Sequence, residues 1–331
     1  MKGVIVKTTG KAAIIVICLA LSILGCNNKN SSPSITDVPK SVPRAENWGI
    51  YALDLTTETV EMIYSSASKI GFLNLNKAGD TLTFSQQFAG NTNENEEICT
   101  IEIDGGTFRR MTENNFLDTY PVWSPDGTQI AFLSWRDKDL DIYVMANDGS
   151  SQRRLYDSGS HDADIDWVGS SIAFTSGSQI WLMQDDGTAP VQITDPPDAG
   201  VWGNTNLPFG DYDPRLSPDG RKIIFERLEG DASPHGNYNM FMVNADGSDE
   251  TRLTDSGYSQ GIVSWSHSKN RLVYVVAAIG NEGKYDMYMM NSDGSNINNI
   301  NPDYFPLDLL CHSPVFSVDD SKVFFIGQWW E

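Results

Sequence analysis

The sequence predicts an all-β protein, a six-bladed β-propeller of four-stranded antiparallel blades whose ring is closed by the N- and C-terminal strands in one blade. Three observations predict it. From residue 71 onward one pattern recurs about every 40 residues, and such a period belongs to repeat architectures. Each copy consists of short, β-rich apolar pieces separated by turn residues at matching places. Two half-copies remain at opposite ends of the chain, and each supplies what the other lacks. Pairing the chain ends in this way leaves no open sheet edge.

The elements follow in chain order. In residues 1–25, Lys2, Lys7 and Lys11 precede an apolar run over residues 12–24. That run falls short of the roughly 20 residues that a membrane-spanning helix needs, so it reads as a secretory signal peptide. It ends in Ile23-Leu24-Gly25-Cys26, which resembles the lipobox of bacterial lipoproteins. The resemblance implies that Cys26 carries the lipid and becomes the first mature residue. Residues 26–45 are rich in Asn, Ser and Pro without apolar periodicity, and are expected to form a flexible tether with a reach of roughly 25 Å. Asn27 stands where an inner-membrane retention signal would carry Asp, which favours the outer membrane.

The propeller is expected over residues 46–331. Residues 49–53 and 60–63 supply the two outer strands, C and D, of the split blade. Five whole units follow, at 71–112, 118–157, 162–195, 211–255 and 260–300, and residues 314–319 with 323–326 supply strands A and B of the split blade. The clearest unit carries Trp123-Ser124-Pro125-Asp126-Gly127 between strands A and B, and Asn147-Asp148-Gly149-Ser150 between C and D. Trp123, Trp167, Trp265 and Phe316 recur at one position and are expected in the core between blades. Cys99 and Cys311, the cysteines left after processing, are expected to be buried thiols rather than a disulfide.

Composition supports a folded chain and narrows its partners. The 331 residues include 35 aromatics, with 23 basic against 44 acidic residues and a net charge of −21. Loss of the signal peptide leaves 20 basic residues against 44 acidic, a net −24. Such a field repels nucleic acid and anionic polymers.

The motifs Trp123-Ser124-Pro125-Asp126-Gly127, Ile142-Tyr143-Val144-Met145 and Asn147-Asp148-Gly149 resemble the TolB-type β-propeller repeat, over roughly residues 46 to 331. The resemblance is specific for the fold and weak for function, because the same repeat serves lyases and peptidases. TolB itself carries an α/β domain ahead of its propeller, and here the tether occupies that place.

In each blade the A–B and C–D turns lie on one face of the disc, and the Asp and Gly residues of those turns read as turn formers. The irregular connections at 88–97, 135–140, 196–210, 228–238, 277–284 and 301–309 lie on the other face, where binding loops on a rigid support usually carry function. Trp202, Phe209 and Tyr238 are the aromatics expected to be exposed there. Asp118, Asp162 and Asp211 occupy matching places at that mouth, with Asp164 and Asp213 two residues later. Period-two alternation would put Asp162, Asp164 and Asp166 in one row, roughly 7 Å apart, repulsive unless water or a cation compensates. His161, His235 and His312 fall on the same face. The candidate binding face is therefore Asp118, His161, Asp162, Asp164, Trp202, Asp211, Asp213, His235 and His312, with calcium or a transition metal at the channel mouth as the cofactor to entertain. The expected role is non-catalytic binding by a monomeric, lipid-anchored envelope protein, on the periplasmic face of the outer membrane or the cell surface. Its partner would be an envelope protein or a cell-wall component, with the membrane touched through the lipid alone. The alternative, which the family resemblance implies, is a metal-dependent carbohydrate-active enzyme like the oligogalacturonate lyases. The sequence holds no Gly-rich phosphate loop and no Gly-x-Ser-x-Gly elbow.

Overall fold

The computed structural model describes residues 40–88, 95–203, 207–230, 237–268, 270–277 and 285–329. The expected signal peptide, Cys26 and most of the tether lie outside them. In chain order the strands are β1 (Trp48–Asp54), β2 (Val60–Ser66), β3 (Ile70–Leu75), β4 (Thr81–Gln87), β5 (Glu96–Glu102), β6 (Phe108–Arg110), β7 (Asp118–Trp123) and β8 (Gln129–Ser134). Next come β9 (Asp141–Ala146), β10 (Arg153–Tyr156), β11 (Asp162–Val168), β12 (Ser171–Ser176), β13 (Gln179–Gln184), β14 (Val191–Gln192), β15 (Gly210–Leu216) and β16 (Lys222–Glu229). The last are β17 (Asn237–Asn244), β18 (Thr251–Arg252), β19 (Ser259–Trp265), β20 (Arg271–Ala277), β21 (Tyr285–Asn291), β22 (Asn298–Asn299), β23 (Leu309–Phe316) and β24 (Lys322–Trp329).

These strands form six four-stranded antiparallel sheets, as expected: β3–β6, β7–β10, β11–β14, β15–β18 and β19–β22 make blades 1 to 5. Blade 6 has the order β2-β1-β24-β23, with Trp48 opposite Gln328 and Asp54 opposite Lys322. The first strand of each blade touches its counterpart in the next, from β3 through β7, β11, β15, β19 and β23 back to β3. The ring is closed, and these A strands line its centre.

The core is divided the same way. Six buried clusters occupy the six interfaces between blades. Trp123 packs with Ile98 of blade 1, Trp167 with Val144 of blade 2, and Trp265 with Ile224 and Met240 of blade 4. Phe316 joins Tyr51, Phe325 and Val273 where blades 5 and 6 meet. Cys99 and Cys311 are free and buried, and burial pushes both thiols up.

Local chemistry accounts for the turns. Ser124 Oγ donates to Asp126 Oδ1 at 2.7 Å and the Thr128 N–H donates to the same oxygen at 3.0 Å. Ser217 with Asp219 and Ser317 with Asp319 repeat the motif at 2.7 and 2.6 Å. The serine hydroxyls, first among several donors, hold Asp126 and Asp319 down at about 2. In the C–D turns the glycine has a second task. Gly187 has φ +85°, and a Cβ there would meet the Leu155 carbonyl of the preceding blade at 2.5 Å, whereas one on the A–B turn residue Gly127, φ +73°, would meet nothing within 4 Å. The first glycine serves both backbone and interblade packing; the second serves backbone alone.

The expected boundary between tether and propeller lies inside a packed segment. Val42 and Ala45 are buried in the cluster between blades 5 and 6. Tyr51 Oη donates to the Pro43 carbonyl at 2.9 Å and accepts from Trp329 Nε1 at 2.7 Å, so residues from both chain ends hold this stretch. Among the described residues no helix is long and apolar enough to cross a membrane.

Candidate functional site

One backbone device recurs in every A strand. Each changes register against its B strand at a β-bulge: between Gly71 and Asn74, Thr119 and Val122, Ala163 and Asp166, Tyr212 and Arg215, Gly261 and Ser264, and His312 and Val315. Inside each bulge one non-glycine residue has positive φ: Phe72 (+56°), Tyr120 (+54°), Asp164 (+51°), Asp213 (+50°), Ile262 (+53°) and Ser313 (+44°). A left-handed non-glycine residue costs on the order of 1 kcal/mol, and a bulge re-aims the side chain it carries.

The bulges of blades 1 to 4 assemble a plug across the channel. The Phe72 and Tyr120 rings lie 4.0 Å apart at their centroids. Tyr120 Oη donates to Asp213 Oδ1, a bond from blade 2 to blade 4 that passes blade 3 on the channel side. Arg215 Nη2 reaches Asp213 Oδ1 at 2.8 Å and Tyr120 Oη at 2.9 Å. Arg215 Nη1 donates to the Ile165 carbonyl at 3.2 Å, and Nε donates to the Val263 carbonyl at 3.3 Å. One guanidinium thus ties blades 2, 3, 4 and 5.

Around it stand four carboxyl groups. Asp164 Oδ2 accepts from the Asp213 N–H at 3.3 Å, and Asp166 Oδ2 from the Leu216 N–H at 2.7 Å. Glu226 Oε1 accepts from the Ile262 N–H and fills the space that a Cβ on Gly261 would take. Burial raises all four, with Arg215 pulling Asp164, Asp166 and Asp213 back down. Glu226 is raised well above the usual carboxylate range, by burial first and Asp213 next, and the two carboxyls hydrogen-bond. Within that pair the hydrogen bond raises Glu226 and lowers Asp213, so Glu226 is the proton donor and Asp213, beside Arg215, the acceptor.

The expected candidates divide accordingly. Asp164 and Asp213 meet in the plug. Asp118, Asp162 and Asp211 are fully buried, which corrects the expectation of carboxylates open at the mouth. Asp118 Oδ2 accepts from Asn114 Nδ2 at 2.6 Å and Arg136 Nη2 at 2.8 Å. Asp211 is held bidentately by Arg227 at 2.6 and 2.9 Å. Asp162 accepts from the Ser158 N–H at 3.2 Å, and burial pushes it up to about 6. The expected row of Asp162, Asp164 and Asp166 is also broken. The bulge interrupts the alternation, and the compensating cation is Arg215.

The histidines do not converge. His161 Nδ1 accepts from the Leu140 N–H at 3.1 Å, and its ring lies 4.8 Å from that of Trp135. His312 pairs with Gln328 at 3.2 Å, packs on Tyr285, and is pushed down to about 4 by burial. Both act as structural side chains in separate places. His235 lies outside the described residues.

Trp202 stands exposed, as expected, whereas Phe209 is half-buried and Tyr238 is buried. Further apolar side chains share its face. Phe116, Val201, Trp202 (65 % exposed), Tyr258 (50 %) and Leu307 (77 %) all lie on D–A connections, from four different blade junctions. A cleft of about 590 Å³ between blades 5 and 6, lined by Leu55, Met289, Asn299, Ile300 and Tyr304 among others, touches none of the candidate residues.

Sequence reasoning missed Arg215, Glu226 and Tyr120. Two signals were there: a lone arginine where the clearest unit has Val122, and a glutamate inside the apolar run of β16 where that unit has Leu133.

Comparison with known proteins gives a consistent family signal. The TolB beta propeller domain family matches residues 43–269. An uncharacterized protein of Agrobacterium fabrum is 30% identical over 191 residues, covering 54% of this chain and 61% of its own. A TolB homolog of Chlorobium luteolum is 27% identical over 145 residues, covering 42% of this chain and 30% of its own. The chain thus spans less than two thirds of these relatives' lengths. The solved structure of a putative TolB from Agrobacterium tumefaciens superposes with a TM-score of 0.63 at 18% identity, over 86% of this chain and 99% of that one, which shows the shared fold.

Proposed function

This chain belongs to the TolB β-propeller domain family, and from that premise we propose that it is a non-catalytic binding scaffold of the cell envelope, gripping its partner with the D–A face. The observation that carries the reading is that Phe116, Val201, Trp202, Tyr258 and Leu307 are each exposed on the D–A connections of four blade junctions, on a ring whose channel holds Tyr120, Asp213 and Arg215. Large apolar side chains ringed by polar loops are anchors for a protein surface, and a few such residues dominate binding energy. The partner is an envelope protein in this reading, with a cell-wall component as the rival outcome of the test.

Capture from envelope extracts with the full chain checks it. The double variant Trp202→Ala/Leu307→Ala is expected to lose at least tenfold in affinity for the captured partner while its Tm stays within about 2 °C of wild type, because the side chains are exposed. Undiminished capture by the variant would overturn the reading.

The anchor belongs to the same proposal and rests on residues 12–26. Cys26 carries the lipid, and the tether sets the propeller off the membrane. Cys26→Ser is expected to move the protein from the membrane to the soluble fraction. Retention of that variant in the detergent phase would remove the lipid from the proposal and leave the binding face standing.

A further inference from the structure

A second acidic group stands apart from the channel, on the loop face of blade 2. Asp139 and Asp141 alternate where the B–C connection enters β9, and Asp157 follows β10. β10 carries a register shift between Arg154 and Tyr156, and Tyr156 pairs with Ile142, which brings Asp157 alongside Asp141. One carboxylate oxygen from each of Asp139, Asp141 and Asp157 lies within 4.8 Å of the others.

A second observation separates this cluster from ordinary surface acids. Asp141 is fully buried, and its Oδ1 accepts no hydrogen bond. A buried carboxylate oxygen without a donor is costly, and native structures seldom leave one. The surroundings do not relieve it. Arg154, 44% exposed, spreads one nitrogen over Asp157 at 2.9 Å, Asp137 at 3.1 Å and Asp141 Oδ2 at 3.3 Å, leaving Oδ1 untouched. Burial first and Asp157 second push Asp141 up to about 6.

We propose that Asp139, Asp141 and Asp157 form a calcium site on the loop face of blade 2. The donors are hard oxygens with no nitrogen or sulfur among them, the set that calcium and magnesium take. Calcium bonds at about 2.3–2.6 Å and accepts six to eight ligands in flexible geometry, so oxygens up to about 5 Å apart can share it, with water completing the shell. The ion would supply the partner that Asp141 Oδ1 lacks. Arg154 is the competing cation; its exposed side chain can withdraw to Asp137 when calcium enters. The site is distinct from the channel plug, where Arg215 already occupies the cation position.

Calcium alone, titrated calorimetrically into the metal-stripped full chain, tests the proposal. One site is expected with Kd on the order of 10⁻⁴ to 10⁻³ M, the range of sites with few charged ligands. At 10 mM calcium the Tm should rise by about 2–5 °C. Asp139→Asn and Asp157→Asn, which change partly or largely exposed groups, should each weaken binding at least tenfold, and Arg154→Gln should tighten it. No heat and no Tm shift at 10 mM would overturn the proposal. Wild-type affinity in both Asn variants, with loss in Asp164→Asn, would overturn it too by placing the ion in the channel.

Discussion

A chain ending at residue 308 is expected to lose cooperative folding altogether. The truncation removes β23 and β24, and with them the pairing of β1 along its whole length from Trp48 to Asp54. It also strips Leu309, Cys311, Phe316, Val323, Phe325 and Trp329 from the cluster between blades 5 and 6, and Phe324 and Ile326 from that between blades 6 and 1. Each buried side chain of this kind contributes about 1.5–3 kcal/mol, so the eight together amount to about 12–24 kcal/mol, comparable with or above the 5–15 kcal/mol typical of a whole domain. The edge of β1 left exposed by the loss of β24 would then invite aggregation. Thermal and urea melts of the truncated and full chains decide the matter. A single transition at the same midpoint in both would mean that the ring does not depend on its closing blade.

Arg215→Met should cost about 3–5 kcal/mol at pH 7.5, the usual penalty for leaving buried charge unpaired. The variant keeps an unbranched apolar stem but ends short of the guanidinium, removing the contacts to Asp213, Tyr120, Ile165 and Val263. Its deficit should shrink at pH 5, and the sign follows from the direction of the shifts. Asp164, Asp166, Asp213 and Glu226 are all raised in the fold. The folded state then binds protons that the unfolded chain, with carboxyls near 4, has already released. Stability therefore falls as pH rises from about 4 through the raised folded values, and is regained on acidification. Removing the arginine raises those values further, so the variant should recover more between pH 7.5 and 5 than wild type does. Adding Asp213→Asn to the variant should return part of the loss at pH 7.5, because it removes the carboxyl that the arginine faces. A deficit below about 1 kcal/mol, or one that is the same at both pH values, would show that the plug does not depend on its single cation.

What was legible beforehand was the scaffold. The turns announce themselves because Ser124 and Asp126, or Asp148 and Ser150, bond to one another within two residues. Trp123, Trp167 and Trp265 were legible as core because each unit repeats them at one place. The closing blade was legible because its halves are complementary at the level of strand count. The site was legible only in its address. The face was identified from the lengths of its connections, and Trp202 from its loop, while Asp118, Asp162 and Asp211 were placed at the mouth by alignment with one another. Alignment locates a residue in its blade but says nothing about burial, and Arg136, Ser158 and Arg227 turn out to cover those three carboxylates.

By itself, then, the sequence determined blade number, strand order, closure and the two kinds of face, since each depends on interactions between residues close in the chain or on a simple count of repeats. Tertiary structure alone decided what fills the channel. Tyr120 and Asp213 lie 93 residues apart, and they meet only because a bulge in each A strand turns a left-handed residue toward the common axis. Period-two alternation assumes an unbroken strand, and a single inserted residue reverses which side chains face the centre. The physical reason is that a ring adds contacts between blades that no single repeat contains, and the cost of burying four carboxyls there is met by one arginine that faces Asp164 and Asp166 of the neighbouring blade as well as Asp213 of its own.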